Sequence, residues 1–409
     1  MATNRTEVPP TAGLPPRWRD LLPRAGTSLA QEAATFLGVE SVQLECSGTA
    51  ALIVALTTLN RTSGRRVVVV PAYTCPLVAL AVAHCGLQLR LCDLAPGGID
   101  FDAGSLARAC DRDVLAVVPT HLAGRVADVA TTLAIARACG AFVIEDAAQA
   151  LGACRDGRAV GLDGDLGFFS LAVGKGLTTF EGGLLVARDV ELRRELARVS
   201  RDLAPRRLGW ELRRSIELIG YHVFYRPSWL GLAYGAPLRR ALREGDPVRA
   251  VGDDFSARIP LHTLGRWRRA VGANAFARLP GFLADCERRA EHRRGMLAAI
   301  AGVEVIGDPP GGQGTWPFLL LRLRDEAQRD AALARLWGAG LGVSRLFIHA
   351  LPDYAYLSDV VGAWDVPNAR AFAATTLTVS NSAWLDGAAF QAICGILQEV
   401  AATSKTAGS

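Results

Sequence analysis

The chain has 409 residues, half of them hydrophobic and about a fifth charged, with a formal net charge of +5. That is enough for a large core and two domains, and it excludes disorder except at the ends. No compact basic cluster interleaved with aromatics occurs, which argues against nucleic-acid binding, and nine cysteines without a C-x-x-C pair argue against a disulfide framework or a structural zinc site.

The Pro-rich start, residues 1–25, reads as an extension and the small polar stretch 401–409 as a flexible tail. Neither has the form of a signal peptide or lipid anchor, so the expected compartment is the cytoplasm. In "ECSGTAAL" (45–52) Ser47, Gly48 and Thr49 stand just before a helical run. Exposed backbone N–H groups and the helix dipole there make an anion site, although a plain Ser/Thr helix cap would give the same pattern. The segment lacks the Gly-Lys-Ser/Thr ending of a P-loop and the G-x-G-x-x-G turn, so it suits a phosphate rather than ATP or a dinucleotide.

Apolar runs of strand length follow at 67–73, 87–94, 114–122, 141–148, 165–172 and 182–188, with helical stretches such as 76–86 and 128–140 between them, each ending in Gly. The alternation predicts a mostly parallel sheet covered by helices on both faces, over residues 26–192, with ligands beyond the carboxyl ends of the strands. His121 ends one such run; it is either near the ligand or a satisfied core histidine, and no catalytic role is assigned to it. In "VIEDAAQALGA" (143–153) an apolar strand ends in Glu145-Asp146. An acid there is costly unless paired, and a protonated pyridine nitrogen is one natural partner, with capping of the next helix as the competing account.

"FFSLAVGKGLTTFEGG" (168–183) carries Lys175, and the only other lysine is Lys405. Arginine abundance in a chain this poor in lysine carries little meaning; the surviving lysine does. Arginine stays protonated, whereas a buried lysine can lose its proton and act as the amine nucleophile that builds Schiff bases. Residues 193–250 form an Arg- and aromatic-rich insertion with an excess of roughly seven positive charges, of the kind that attracts anionic partners. Arg226-Pro227 breaks its apolar middle, so it makes no clean spanning helix. An amphipathic helix lying on a membrane surface and helices packed on the body or at a dimer interface both remain open. Residues 251–400 hold a charged helical stretch (283–302), a strand at 315–323 and further helical stretches at 325–340 and near 387–402, which predicts a linker helix and a smaller α+β domain.

Taken in order and spacing, "SGTAAL", "EDAAQALGA" and "FFSLAVGKGLTTFEGG" resemble the DegT family of pyridoxal-phosphate-dependent sugar aminotransferases, most strongly over 45–190 and more weakly to about 400. The resemblance implies a three-layer α/β fold of type I, like aspartate aminotransferase, working as a homodimer with active sites at the subunit interface. It implies that Lys175 holds pyridoxal 5'-phosphate as a Schiff base and moves the proton, that Asp146 pairs with the pyridinium, and that Gln149 lies near the phenolic oxygen. Gly48, Thr49 and Ser170 would hold the phosphate. The implied reaction moves an amino group from L-glutamate to a keto group of a nucleotide-linked sugar, for polysaccharide or glycosylated-metabolite synthesis; Lys175 argues against the related dehydratase branch, where a histidine replaces the lysine.

Three stretches depart from the family pattern. "PAYTCP" (71–76) puts Cys75 where a stacking aromatic usually stands, which leaves Tyr73 or another ring to cover the cofactor face. "FSARIP" (255–260) offers Ser256 in place of the asparagine that family members lend to the neighbouring subunit. "GVSRLFIHALPDY" (342–354) suggests Arg345 and His349 near the substrate. Two other readings compete: an enzyme of the same fold acting on a non-sugar carbonyl, and a noncatalytic regulatory or membrane-surface protein whose working surface is 193–250.

Overall fold

The computed structural model describes residues 6–22, 26 and 28–403. Lys405 and most of the expected tail lie outside them.

The central sheet has seven strands: β1 (Gln43–Glu45), β2 (Val67–Pro71), β3 (Gln88–Cys92), β4 (Val114–Val117), β5 (Phe142–Asp146), β8 (Leu166–Ser170) and β9 (Gly183–Ala187), after the short hairpin strands β6 (Cys154–Arg155) and β7 (Arg158–Ala159). Their order is β1-β9-β8-β5-β4-β2-β3. The run from β3 to β8 is parallel, and β9 returns antiparallel to both β8 and β1. All six expected apolar runs contain strands. They read as continuous hydrophobic segments because helices bury both faces of a parallel sheet; β2 and β4 are buried at every position.

The helices of this half are α1 (Leu29–Leu37), α2 (Gly48–Ser63), α3 (Pro76–His84), α4 (Ala103–Ala109), α5 (Val129–Ala138) and α6 (Val190–Leu203). Side-chain caps open several of them: Ser28, Ser47, Asp102, Asp128 and Asp189 each accept a hydrogen bond from a backbone N–H in the first turn. The insertion is helical as well, with α7 (Leu208–Phe224) stopping just short of Arg226-Pro227.

A second sheet, with strand order β10-β12-β14-β13, joins β10 (Val303–Val305), β12 (Phe318–Leu323), β13 (Val343–Ser344) and β14 (Thr376–Ser380); β11 (Gly312–Gln313) instead pairs with β6 of the first half. The sheet and the helices Leu279–Ala298, Glu326–Leu336 and Gly387–Thr403 give the α+β arrangement expected after residue 251. The composition leaves room for disorder at the amino end, yet residues 6–14 are packed. Val8 is buried in the core of the second sheet, its N–H bonds to the Gly340 carbonyl, and the buried Glu7 carboxylate pairs with Arg239 at 2.8 Å.

Candidate active site

The parallel strands deliver their carboxyl ends to a cavity of about 600 Å³ lined by residues from both halves. Gly48, Thr49, Asp146, Gln149, Ser170 and Lys175 all line it. A second cavity of about 670 Å³, bordered by Phe36, Arg158 and Arg188, contains none of these six.

Ser47 caps α2: its Oγ accepts from the Ala50 N–H at 3.0 Å and its carbonyl accepts from the Ala51 N–H. The capping account and the anion-site account therefore hold together, since the cap leaves the Gly48 and Thr49 N–H groups of the first turn without intrahelical acceptors. Two close approaches shape this end. A Cβ on Gly183 would meet the Ser47 carbonyl at 2.3 Å, and one on Gly48 would come within 3.0 Å of the Ser170 Cβ. Only glycines let β9 and β8 press the turn into the cavity wall.

The two acids at the end of β5 separate because successive residues of a strand point to opposite faces. Glu145 points away from the cavity. It accepts hydrogen bonds from the N–H groups of Gly161, Asp163 and Gly164 and pairs with His121 Nε2 at 2.9 Å. Burial raises the carboxyl of Glu145, but these bonds outweigh it and its pKa is lowered. His121 Nδ1 accepts from the Ala127 N–H at 3.1 Å, so its proton lies on Nε2 and points at Glu145. His121 is a satisfied core histidine.

Asp146 faces the cavity. It is buried, and one hydrogen bond, from the Ala148 N–H at 3.0 Å, reaches its side chain. Desolvation pushes its pKa up, with the Ala148 bond and the positive field of Lys175 acting against that. Lys175 is half-buried, and desolvation lowers its pKa, opposed by Cys75, Asp146 and Asp253. The Gln149 Oε1 accepts from the Ala123 N–H at 2.7 Å, which fixes the amide and leaves its NH₂ as the free end.

Tyr73 does not reach the cavity. It is fully buried, its hydroxyl donates to the Phe347 carbonyl at 3.0 Å, and its ring packs edge-on against Phe347 and Phe372. The residue after Thr74 turns inward instead, so Cys75 forms the wall, with its thiol pushed up to about 12 by burial. Ser256 and Arg345 line the cavity; the His349 ring lies against Tyr354.

Two acids at the cavity were not singled out from the sequence. Glu181, in the glycine-rich end of the lysine segment, forms an ion pair with Arg214 at 2.6 Å that is too bent to be a hydrogen bond. Burial opposes its ionisation, but His262 and Arg214 hold it low. Its position before Gly182-Gly183 was the available signal. Asp253 lies in an irregular loop and gave none. Its Oδ2 accepts from the Tyr354 hydroxyl at 2.6 Å and the Ile348 N–H at 3.0 Å, and burial raises its pKa to about 6. Between its ordinary 3.8 and about 6 the folded chain binds a proton that the unfolded chain has released. Stability contributed by this group is therefore complete at low pH and declines as pH rises through about 6. Thermal melts of Asp253→Asn should lack that decline; an identical pH profile in the variant would assign the titration elsewhere.

Comparison with known proteins shows which family part of the chain resembles. The model of the DegT/DnrJ/EryC1/StrS aminotransferase family matches residues 22–215, a span holding all six cavity residues above. Residues 22–215, a little under half of the chain, are similar to this family. Protein MosB of Rhizobium meliloti is 40% identical over 150 residues, which is 37% of this chain and 29% of that protein. The GDP-perosamine synthase of Caulobacter vibrioides is 32% identical over 203 residues, 49% of this chain and 53% of that one. The chain thus spans about half or less of the length of these relatives. The likeness in fold extends through both halves: the putative sugar aminotransferase Spr1654 of Streptococcus pneumoniae in its PLP form superposes with a TM-score of 0.70 at 16% identity, covering 97% of this chain and 99% of that one.

The cofactor of DegT-type aminotransferases is pyridoxal phosphate, and the residues present fit it. A desolvated amine is available for its aldehyde, an under-partnered buried carboxylate for its pyridinium, a fixed amide N–H for its phenolic oxygen, and a helix N-terminus beside Ser170 for its phosphate. Gly48→Ala should weaken cofactor binding by about tenfold or more, the scale of an overpacked contact, in a fluorescence titration. Unchanged affinity would place the phosphate elsewhere.

Proposed function

We propose that the chain is a pyridoxal-phosphate-dependent aminotransferase that moves an amino group from L-glutamate to a keto group of a nucleotide-linked sugar. The observation that carries this reading is the convergence of Lys175, Asp146, Gln149 and the α2 N-terminus on one cavity. When bound there, pyridoxal phosphate supplies the electron sink that makes the donor's α-proton labile.

The protein's part follows from the environment of each group. A lowered pKa raises the fraction of Lys175 present as free amine, the form that attacks a carbonyl and that can take a proton from the donor's α-carbon and return it at C4′ of the cofactor. Asp146 is disfavoured as an unpaired anion, so it would hold a pyridine nitrogen in its protonated form, the opposite charge offsetting the cost of its burial. Gln149 orients the ring through its free NH₂, and Gly48, Thr49 and Ser170 fix the phosphate end. The name of the Caulobacter relative, a GDP-sugar synthase, supports a nucleotide-linked acceptor. A homodimer in the cytoplasm, without nucleic-acid partners, completes the proposal. A non-sugar carbonyl acceptor is the second reading, favoured by Cys75 in place of a ring at the cavity wall.

Visible absorption of the protein with pyridoxal phosphate, before and after L-glutamate, tests the first half of the reaction. The band of the lysine-bound cofactor should bleach with glutamate and return on adding a nucleotide-linked keto sugar. A band indifferent to glutamate would reject this donor, and a bleached band restored only by non-sugar ketones would select the second reading.

A further inference from the structure

Helix α7 leaves an apolar stripe exposed. Its inward side carries charges beside the buried Leu218 and His222: Glu211 holds the buried Arg268 guanidinium with two hydrogen bonds of 2.9 and 2.6 Å, and Arg214 pairs with both Glu217 and Glu181 at 2.6 Å. Its outward side is apolar. Leu208, Leu212, Ile216 and Ile219 are 83%, 63%, 60% and 42% exposed, at the three- and four-residue spacing that puts them on one stripe. Phe224 and Trp229 continue the exposed surface past the carboxyl end, and Trp18, 58% exposed, joins it by packing on His222 of α7 at 4.1 Å.

The charges around this surface are of one sign. Arg206 and Arg207 precede the stripe and Arg226 follows it; all three are exposed, and none has an ion-pair partner for its side chain among the described residues. The acids of the helix are engaged with arginines, Glu211 with Arg268 and Glu217 with Arg213 and Arg214. An occupant must therefore offer negative charge at the rim and an apolar medium just behind it. A second copy set face to face would bring like charges together, whereas an anionic bilayer offers phosphates at the headgroup level with acyl chains beneath them.

We propose that α7 lies in the plane of an anionic lipid surface and docks the protein on it. The helix is about 25 Å long at 17 residues, and no helix among the described residues is long and apolar enough to cross a membrane, so docking is peripheral. Arg214 on the inward side holds Glu181, a cavity residue, so docking sets the cavity wall about one helix diameter, ~10 Å, from the lipid. The proposal rests on this face and not on the reaction.

Vesicle sedimentation tests it, comparing phosphatidylcholine alone with phosphatidylcholine containing phosphatidylglycerol, alongside light scattering for oligomeric state. The bound fraction of the wild type should rise about tenfold with the anionic lipid and fall in high salt. L212E/I216E, on outward positions, should abolish binding, and R206Q/R207Q should remove most of its dependence on anionic lipid. If the glutamate variant does not fold, the arginine variant carries the test alone. Equal sedimentation of wild type and variants, or none at all, would overturn the proposal. So would loss of a dimer in L212E/I216E without vesicle binding, which would give the face to a second copy.

Discussion

Lys175→Arg loses amine transfer, with kcat down by at least about 10³-fold, the scale expected when the proton-transferring group is removed. The side chain keeps its positive charge and about its length, so the fold is retained; what disappears is the neutral amine. In this cavity desolvation favours the uncharged form of lysine, and arginine has no accessible uncharged form to offer. Lys175→Ala should fail equally, and small primary amines in solution should restore part of the activity to the alanine variant, but not to the arginine variant, whose side chain fills the place. Measurable turnover by Lys175→Arg without added amine would remove Lys175 from the chemistry.

Asp146→Asn keeps the shape of the side chain and the bond from the Ala148 N–H, but leaves a bound pyridinium without its anion. Breaking a buried charge pair from one side costs about 3–5 kcal/mol, which corresponds to roughly 10²–10⁴-fold in rate if it falls on the reacting state. The expected result is a loss of that size in kcat, with an unchanged far-ultraviolet spectrum and a small change in melting temperature. The contrast with Glu145 sharpens it. Glu145 is fully satisfied by backbone N–H groups and His121, so Glu145→Gln should act on stability and leave kcat per folded molecule near that of the wild type. The reverse pattern would mean that the two acids have exchanged roles.

The parallel core was legible because burial on both faces turns each strand into an unbroken apolar run, and Lys175 stood out because chain composition had removed nearly every other lysine. The second sheet was read less well. Its strand β14, Thr376–Ser380, alternates Thr and Ser with Leu and Val although every residue is buried, since the hydroxyls find partners such as the Phe372 carbonyl for Thr376. A composition rule scores that segment as half polar. Tyr73 was misplaced for a different reason: motif position located the turn, but which side chain faces the cavity depends on the backbone direction around Thr74, and that direction selects Cys75. Asp253 comes from a loop without periodicity, brought to the cavity by Ile348 and Tyr354, 95 and 101 residues further on. On α7 the helical spacing was visible, but apolar residues at that spacing usually face a core; here the side that packs inward is the one carrying Leu218 and the charges that meet Arg268 and Glu181.

Because the sequence holds just two lysines, the central claim reduces to a choice between positions. Reduction of the protein with borohydride in the presence of pyridoxal phosphate, followed by proteolysis and mass spectrometry, reads that choice directly. The account predicts a phosphopyridoxyl group on the peptide containing Lys175 and on no other. Label on Lys405, or on neither lysine, would contradict it.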